Sequence, residues 1–190
     1  VILHTNDIHC GINDNIGFAG LAQIKKDALA RTPNVALVDA GDAIQGAPIG
    51  KLSRGLAVVN IMNYLGYDFC IPGNHEFDYG MDRFLELVPL QRAGYYCANF
   101  VYAGNNKQAL PGYKIMQYED TKVAFVGAST PESLTTSTPT FFQNEKGKYI
   151  YSFCEDKTGN KLYKQLQKNV DKARKDGADY VFIVGHLGMD

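Results

Sequence analysis

Between positions 73 and 78 the chain reads Gly73-Asn74-His75-Glu76-Phe77-Asp78, placing an amide, an imidazole and two carboxylates within five residues of one another. Imidazoles and carboxylates together can move a proton or hold a divalent cation, although a polar turn has the same residue types. Three smaller groups of the same kind lie elsewhere. Asp7 and His9 are two apart, Asp42 follows Ala40-Gly41, and His186 follows Gly185. On extended backbone Asp7 and His9 project to one face, so together they form half of a site for a borderline-hard metal. His4 is an odd number of residues from both and is expected to pack as an ordinary strand histidine.

Each group sits at the end of an apolar run. Val1-Ile2-Leu3, Val35-Ala36-Leu37-Val38, the run 67–71 and the run 180–184 read as strands, and the continuous apolar ones as strands covered on both faces. Pro72-Gly73 closes the third run as a turn. Three of the four histidines thus fall at strand ends. Parallel strands of one sheet would bring those ends together, and loops at the carboxyl ends of strands in open α/β sheets are where ligands bind.

Helices are expected between the strands. The stretch 17–31 carries Leu21, Ile24 and Ala28 on one stripe and Lys25, Lys26 and Arg31 on the other. A loop over 43–50 precedes a helix over 53–65 with Ser53 as N-cap and Gly66 as stop. The helix over 80–93 contains Pro89, which kinks it or ends it early. A fourth strand is read over 95–100, with Asn99 as a turn residue. Glu119-Asp120 joins runs 113–118 and 121–127 as a hairpin, which makes the sheet pattern mixed. The stretch 129–148, rich in Thr, Ser and Pro, is the longest irregular loop, and such loops are usually functional or mobile. A last helix, 157–176, carries Lys161, Lys164, Lys168, Lys172 and Lys175 as a solvated stripe.

At 190 residues, 45% hydrophobic and 21% charged, the chain has room for one domain with a sizeable core. A formal net charge of −1 gives no general attraction to nucleic acid or to an anionic membrane. No apolar run approaches the roughly 20 residues of a membrane span. Cys10, Cys70, Cys97 and Cys154 form no Cys-x-x-Cys pair, which argues against a zinc knuckle or a redox dithiol. Cys70 and Cys97 are read as buried apolar thiols. Val1 opens directly in a strand, so an upstream segment is expected to have been removed.

In order along the chain, Asn6-Asp7-Ile8-His9, Gly41-Asp42, Gly73-Asn74-His75-Glu76-Phe77-Asp78 and Gly185-His186 resemble the motifs of the calcineurin-like metallophosphoesterases. Leu3-His4-Thr5-Asn6-Asp7 and the Phe77-Asp78 continuation resemble the 5′-nucleotidase and UDP-sugar hydrolase branch. The resemblance implies an α/β fold, a mixed-sheet sandwich flanked by helices, incomplete at its C-terminal end. Residues 1–190 would be one partial N-terminal domain.

The resemblance also implies a chemistry, residue by residue. Asp7 and His9 would bind one divalent metal, Asn74 and His186 a second, with Asp42 bridging them. Two cations about 3.5–4 Å apart can activate a hydroxide and neutralise phosphoryl oxygens during in-line attack. Manganese, magnesium and zinc all suit this donor set. His75 would stabilise the phosphoryl charge or protonate the leaving oxygen, and Asp78 would hold its ring. Glu76 receives no role. The expected substrate is a 5′-nucleotide, with a 2′,3′-cyclic nucleotide, a UDP-sugar or a sulfur ester as alternatives, and a binding module without catalysis as the reading from another class.

Family members continue with a Gly-His-x-His motif and a C-terminal domain that clamps the base. Neither occurs in this sequence, so the chain is read as the N-terminal part of a longer enzyme, binding metal weakly and turning over poorly on its own. The family likeness places it outside the cytoplasm, in the periplasm, cell wall or medium.

Overall fold

Short apolar runs alternating with amphipathic stretches produce repeated strand–helix units in the first half of the chain. The computed structural model describes residues 1–188. Strand β1 (Ile2–Thr5) leads to helix α1 (Gly17–Arg31) and strand β2 (Ala36–Asp39). Helices α2 (Pro48–Ser53) and α3 (Leu56–Leu65) precede strand β3 (Phe69–Cys70). A short 3-10 turn (His75–Phe77) and helix α4 (Met81–Leu87) follow. Pro89 lies in a second 3-10 turn (Val88–Leu90), so the helix does end early.

The second half is built differently. Strands β4 (Val101–Tyr102), β5 (Tyr113–Tyr118) and β6 (Thr121–Ser129) are followed by helix α5 (Ser133–Thr136) and a 3-10 turn (Pro139–Phe142). Strand β7 (Tyr151–Ser152), helix α6 (Asn160–Lys175) and strand β8 (Tyr180–His186) complete it. The expected hairpin is present, with β5 and β6 paired antiparallel from Tyr113↔Val126 to Tyr118↔Thr121.

The strands that carry the site do not belong to one sheet. Strands β1, β2 and β3 form a parallel sheet, whereas β8 pairs in parallel with β6 in a mixed sheet, β5-β6-β8. The pleat of β2 explains how the sheets stack, since alternate residues face opposite ways. Ala36 and Val38 pack with Phe69, Ile71 and Phe125 between the two sheets. Leu37 faces the other way, into a larger core with Phe18 and Leu21 of α1, Val58, Val59 and Met62 of α3, and Phe84 of α4.

Local departures from expectation have physical causes. The helix expected over 53–65 is broken because Arg54 and Gly55 both take left-handed backbone (φ 47° and 85°). Ser53 therefore closes α2 instead of capping the next helix, although its Oγ still accepts the Ala57 N–H at 3.2 Å. Part of the expected loop over 43–50 becomes α2, with Pro48 at its first position, where a missing N–H costs nothing. The strand expected over 95–100 reduces to one parallel bridge, Cys70↔Tyr95. Asn99 is not a turn residue but fully buried, and it cross-ties the chain: Nδ2 donates to the Ser129 and Phe153 carbonyls, and Oδ1 accepts from Ser129 N. His4 is exposed rather than packed, because β1 is an edge strand.

Candidate metal centre

Beyond Thr5 the chain leaves the sheet through a loop tied to the loop after β2. Asp7 N donates to Gly41 O, His9 N to Asp42 O and Cys10 N to Ala43 O, at 2.9–3.1 Å. The extended backbone expected to align Asp7 with His9 is absent. Asp7, His9, Cys10 and Asp42 all lie in the left-handed region, with φ between 46° and 60°. Non-glycine residues reach that region at a cost and concentrate at functional sites. The loop after β3 presses against the same place. A Cβ on Gly41 would come within 2.5 Å of Gly73 N, and one on Gly73 within 2.2 Å of Asp42 Oδ1, so this approach needs glycine on both sides.

Asp42 stands at the middle of the cluster, 2% exposed. Its Oδ2 lies 3.2 Å from His186 Nε2 and 3.8 Å from His9 Nε2, and its Oδ1 accepts the His75 N–H at 2.8 Å. Asp7 Oδ1 is 3.6 Å from His9 Nε2, and the His9 and His75 rings meet edge to face at 5.1 Å. The side chains thus form two trios sharing one carboxylate: His9, Asp42 and His75, and Asp7, Asp42 and His186. Asp7 and His9 lie side by side as expected, and His75, expected to stand apart from the donors, also reaches the cluster. Asn74 occupies the turn before His75 and is half-buried; its amide makes no hydrogen bond among the described residues.

The orientation of the imidazoles suits a cation. His186 Nδ1 lies 2.9 Å from the Ala40 carbonyl, and His9 Nδ1 3.2 Å from the Gln45 carbonyl. A carbonyl can only accept, so both rings carry a proton on Nδ1 and turn Nε2 toward Asp42; without a cation the His186 Nε2 holds a second proton, donated to Asp42, which a bound metal would replace. Ligating histidines show this pattern, with the remote nitrogen donating to an oxygen that fixes the tautomer. Electrostatics agree. The hydrogen bond to Asp42 lifts the His186 imidazole to about 9 against the opposing effect of burial. Burial would raise the Asp42 carboxyl, but the bonds from His186 and the His75 N–H outweigh it and hold the group below its ordinary value. Positive charge is therefore favoured between these two side chains. Two carboxylates and Nε2-presenting imidazoles around a shared oxygen fit a divalent pair.

His75 is held differently. Its Nδ1–H donates to Asp78 Oδ2 at 2.6 Å. Burial works against a charge on this ring, yet the bond to Asp78 and the nearby Asp42 carboxylate keep its pKa above the usual imidazole value.

Glu76, which received no role from the sequence, holds the centre's framework. It is 1% exposed and accepts from Asp42 N and Ala43 N at 2.8 Å each, from Gly73 N at 2.6 Å and from Ile44 N at 3.4 Å. One carboxylate thereby joins the loops after β2 and β3. Burial, and secondarily the Asp42 charge, push its pKa up, opposed by those N–H groups. Asp39 is also buried. Its Oδ1 receives the Thr5 hydroxyl at 2.7 Å and its Oδ2 the Gly41 N–H at 3.1 Å, while desolvation, then the Glu76 charge, raise its pKa strongly. A glutamate following an imidazole was visible in the sequence, but its partners are backbone groups, and all of them except Gly73 lie more than thirty residues away.

Known proteins resemble this chain in sequence and fold. The profile described as calcineurin-like phosphoesterase matches residues 1–190. A snake venom 5′-nucleotidase of Gloydius brevicauda is 31% identical over 99% of this chain and 33% of its own length. A Thermus thermophilus sulfate thiohydrolase, SoxB, superposes with a TM-score of 0.75 at 29% identity, over 91% of this chain and 30% of its own. A 5′-nucleotidase precursor, also from Thermus thermophilus, gives a TM-score of 0.81 at 25% identity, over 98% of this chain and 37% of its own. This chain spans about a third of the length of the curated relatives it matches.

Proposed function

Because this chain belongs to the calcineurin-like phosphoesterase family, we propose that it hydrolyses phosphate esters at the Asp42 cluster, with 5′-nucleotides as substrates. The observation that carries the reading is the shared Asp42 carboxylate, with the Nε2 atoms of His9 and His186 within 3.8 Å of its Oδ2. Asp7, His9, Asp42, Asn74 and His186 are the proposed ligands of two divalent cations, manganese, zinc or magnesium. When bound, such a pair supplies Lewis-acid neutralisation of phosphoryl oxygens and a more acidic water.

The chain's own groups then have distinct tasks. Buried Asp42, fixed by its left-handed backbone and by the His75 N–H, keeps the donors in register. The Ala40 and Gln45 carbonyls hold the rings of His186 and His9. His75, oriented by Asp78, is placed to neutralise charge growing on the phosphoryl group or to give its Nε2 proton to the leaving oxygen. The 5′-nucleotidase relatives support nucleotides as substrates, and residues 1–190 as the N-terminal portion of such an enzyme. The likeness to a sulfate thiohydrolase favours a sulfur ester as the second reading. The same relatives support an extracytoplasmic site of action.

The test is calorimetric titration with Mn²⁺, Zn²⁺ and Mg²⁺, followed by phosphate release from nucleoside 5′-monophosphates, a 2′,3′-cyclic nucleotide, a UDP-sugar and a thiosulfonate ester. Release from the monophosphates, abolished by chelation and by Asp42→Asn, is expected. Bound metal without release from any phosphoester would sink the reading.

A further inference from the structure

The irregular stretch after β6 sends one side chain back to the centre. Ser137 Oγ donates to Asp78 Oδ1 at 3.1 Å, while Asp78 Oδ2 accepts from His75 Nδ1. Each carboxylate oxygen thus has its own partner, and the two bonds fix the carboxylate plane from both ends. The hydroxyl comes from an anchored segment, because Ser137 directly follows α5, where Ser133 and Leu134 are buried. Its own N–H closes that turn on Ser133 O. Between this segment and the 45–51 stretch lies a cavity of about 510 Å³, lined by Gln45, Lys51, Asp78, Thr136, Ser137 and Thr138. Asp78 is therefore shared between this cavity and the imidazole.

We propose that Ser137 is a positioning residue: acting through Asp78, it holds the His75 ring so that Nε2 faces the reacting phosphoryl group. The proposal rests on the phosphohydrolase reading above. A carboxylate held at one oxygen alone can turn about its Cβ–Cγ bond and take the imidazole with it. Orientation matters at one step. As the P–O ester bond breaks, the leaving oxygen keeps the electron pair and takes the proton from His75 Nε2. Water provides the new oxygen on phosphorus and, afterwards, the proton that restores the ring.

Substrates that do and do not need that proton separate this role from general damage. Ser137→Ala is expected to lower kcat about tenfold on a nucleoside 5′-monophosphate, at the lower end for partners that orient an imidazole. On p-nitrophenyl phosphate, whose phenolate leaves without protonation, the loss is expected to be slight. Ser137→Thr restores both rates. In the metal-free protein the His75 Nδ1 proton, shifted downfield in the parent, moves upfield in Ser137→Ala and returns in Ser137→Thr. Equal losses on both esters, or an unmoved resonance, overturn the inference while leaving the hydrolase reading intact. A metal-loaded parent inactive on both esters overturns the two together.

Discussion

Glu76 concentrates more backbone donors on one side chain than any other residue near the centre, and its charge has no cationic partner among those bonds. An amide of the same shape would turn an NH₂ group toward some of these N–H donors. Leaving buried donors unpaired costs about 1–3 kcal/mol each. Glu76→Gln is therefore expected to lower unfolding free energy by about 2–3 kcal/mol and to weaken metal affinity, read from urea titration and calorimetry. Unchanged stability would mean that the two loops are joined by other contacts. Asp39 offers a pH test. Its folded pKa lies above the unfolded value, so between the two the native state holds the extra proton and stability falls as pH rises. An amide at this position would copy the neutral acid, its carbonyl taking the Gly41 N–H and its NH₂ donating to Thr5. Asp39→Asn should match the parent near pH 4 and exceed its stability at pH 8. Parallel stability curves would refute that account.

At the scale of elements, Phe77 ties the motif turn to the body of the protein. It is fully buried, and its ring meets those of Phe84, Phe100, Phe142 and Phe153 at 4.8–5.6 Å. Phe77→Ala should cost about 3–5 kcal/mol of stability by denaturant titration, and a loss below about 1 kcal/mol would show that the site can collapse around the gap. Much at this scale was legible in the sequence. The first helix, the hairpin and the early stop at Pro89 follow from local chemistry. The placing of ligand-type residues beyond apolar runs was equally visible, because strand ends and turn residues announce themselves. Contacts made through backbone were not. Nothing in the letters around Asn99 says that its amide meets Ser129 and Phe153, and Glu76 was opaque for the same reason. The left-handed backbone of Asp7 and His9 was hidden too, since it is set by the loop after β2 rather than by local preference.

For the whole molecule, the sequence indicated an α/β sandwich but not which sheet each donor would occupy. One parallel sheet was the simpler expectation, and β8 belongs to the other. Register explains how it still reaches the centre. Ser129↔His186 is the last pair of β6 and β8, and the Ser129 hydroxyl donates to the Pro72 carbonyl just beyond β3. The packing between sheets, Phe69 on Phe125 with ring centres 5.8 Å apart, therefore sets how closely His186 approaches Asp42. Phe125→Leu touches no donor, yet it should weaken metal affinity several-fold in calorimetric titration. Unaltered affinity would show that the loops alone position His186.

Since its donors come from both layers of the sandwich, the centre can act as a rivet. A cation bound there would resist any sliding of one layer over the other, adding a mechanical role to the proposed chemical one. Its removal should show first as faster amide exchange along the seam between the layers, well before any helix melts.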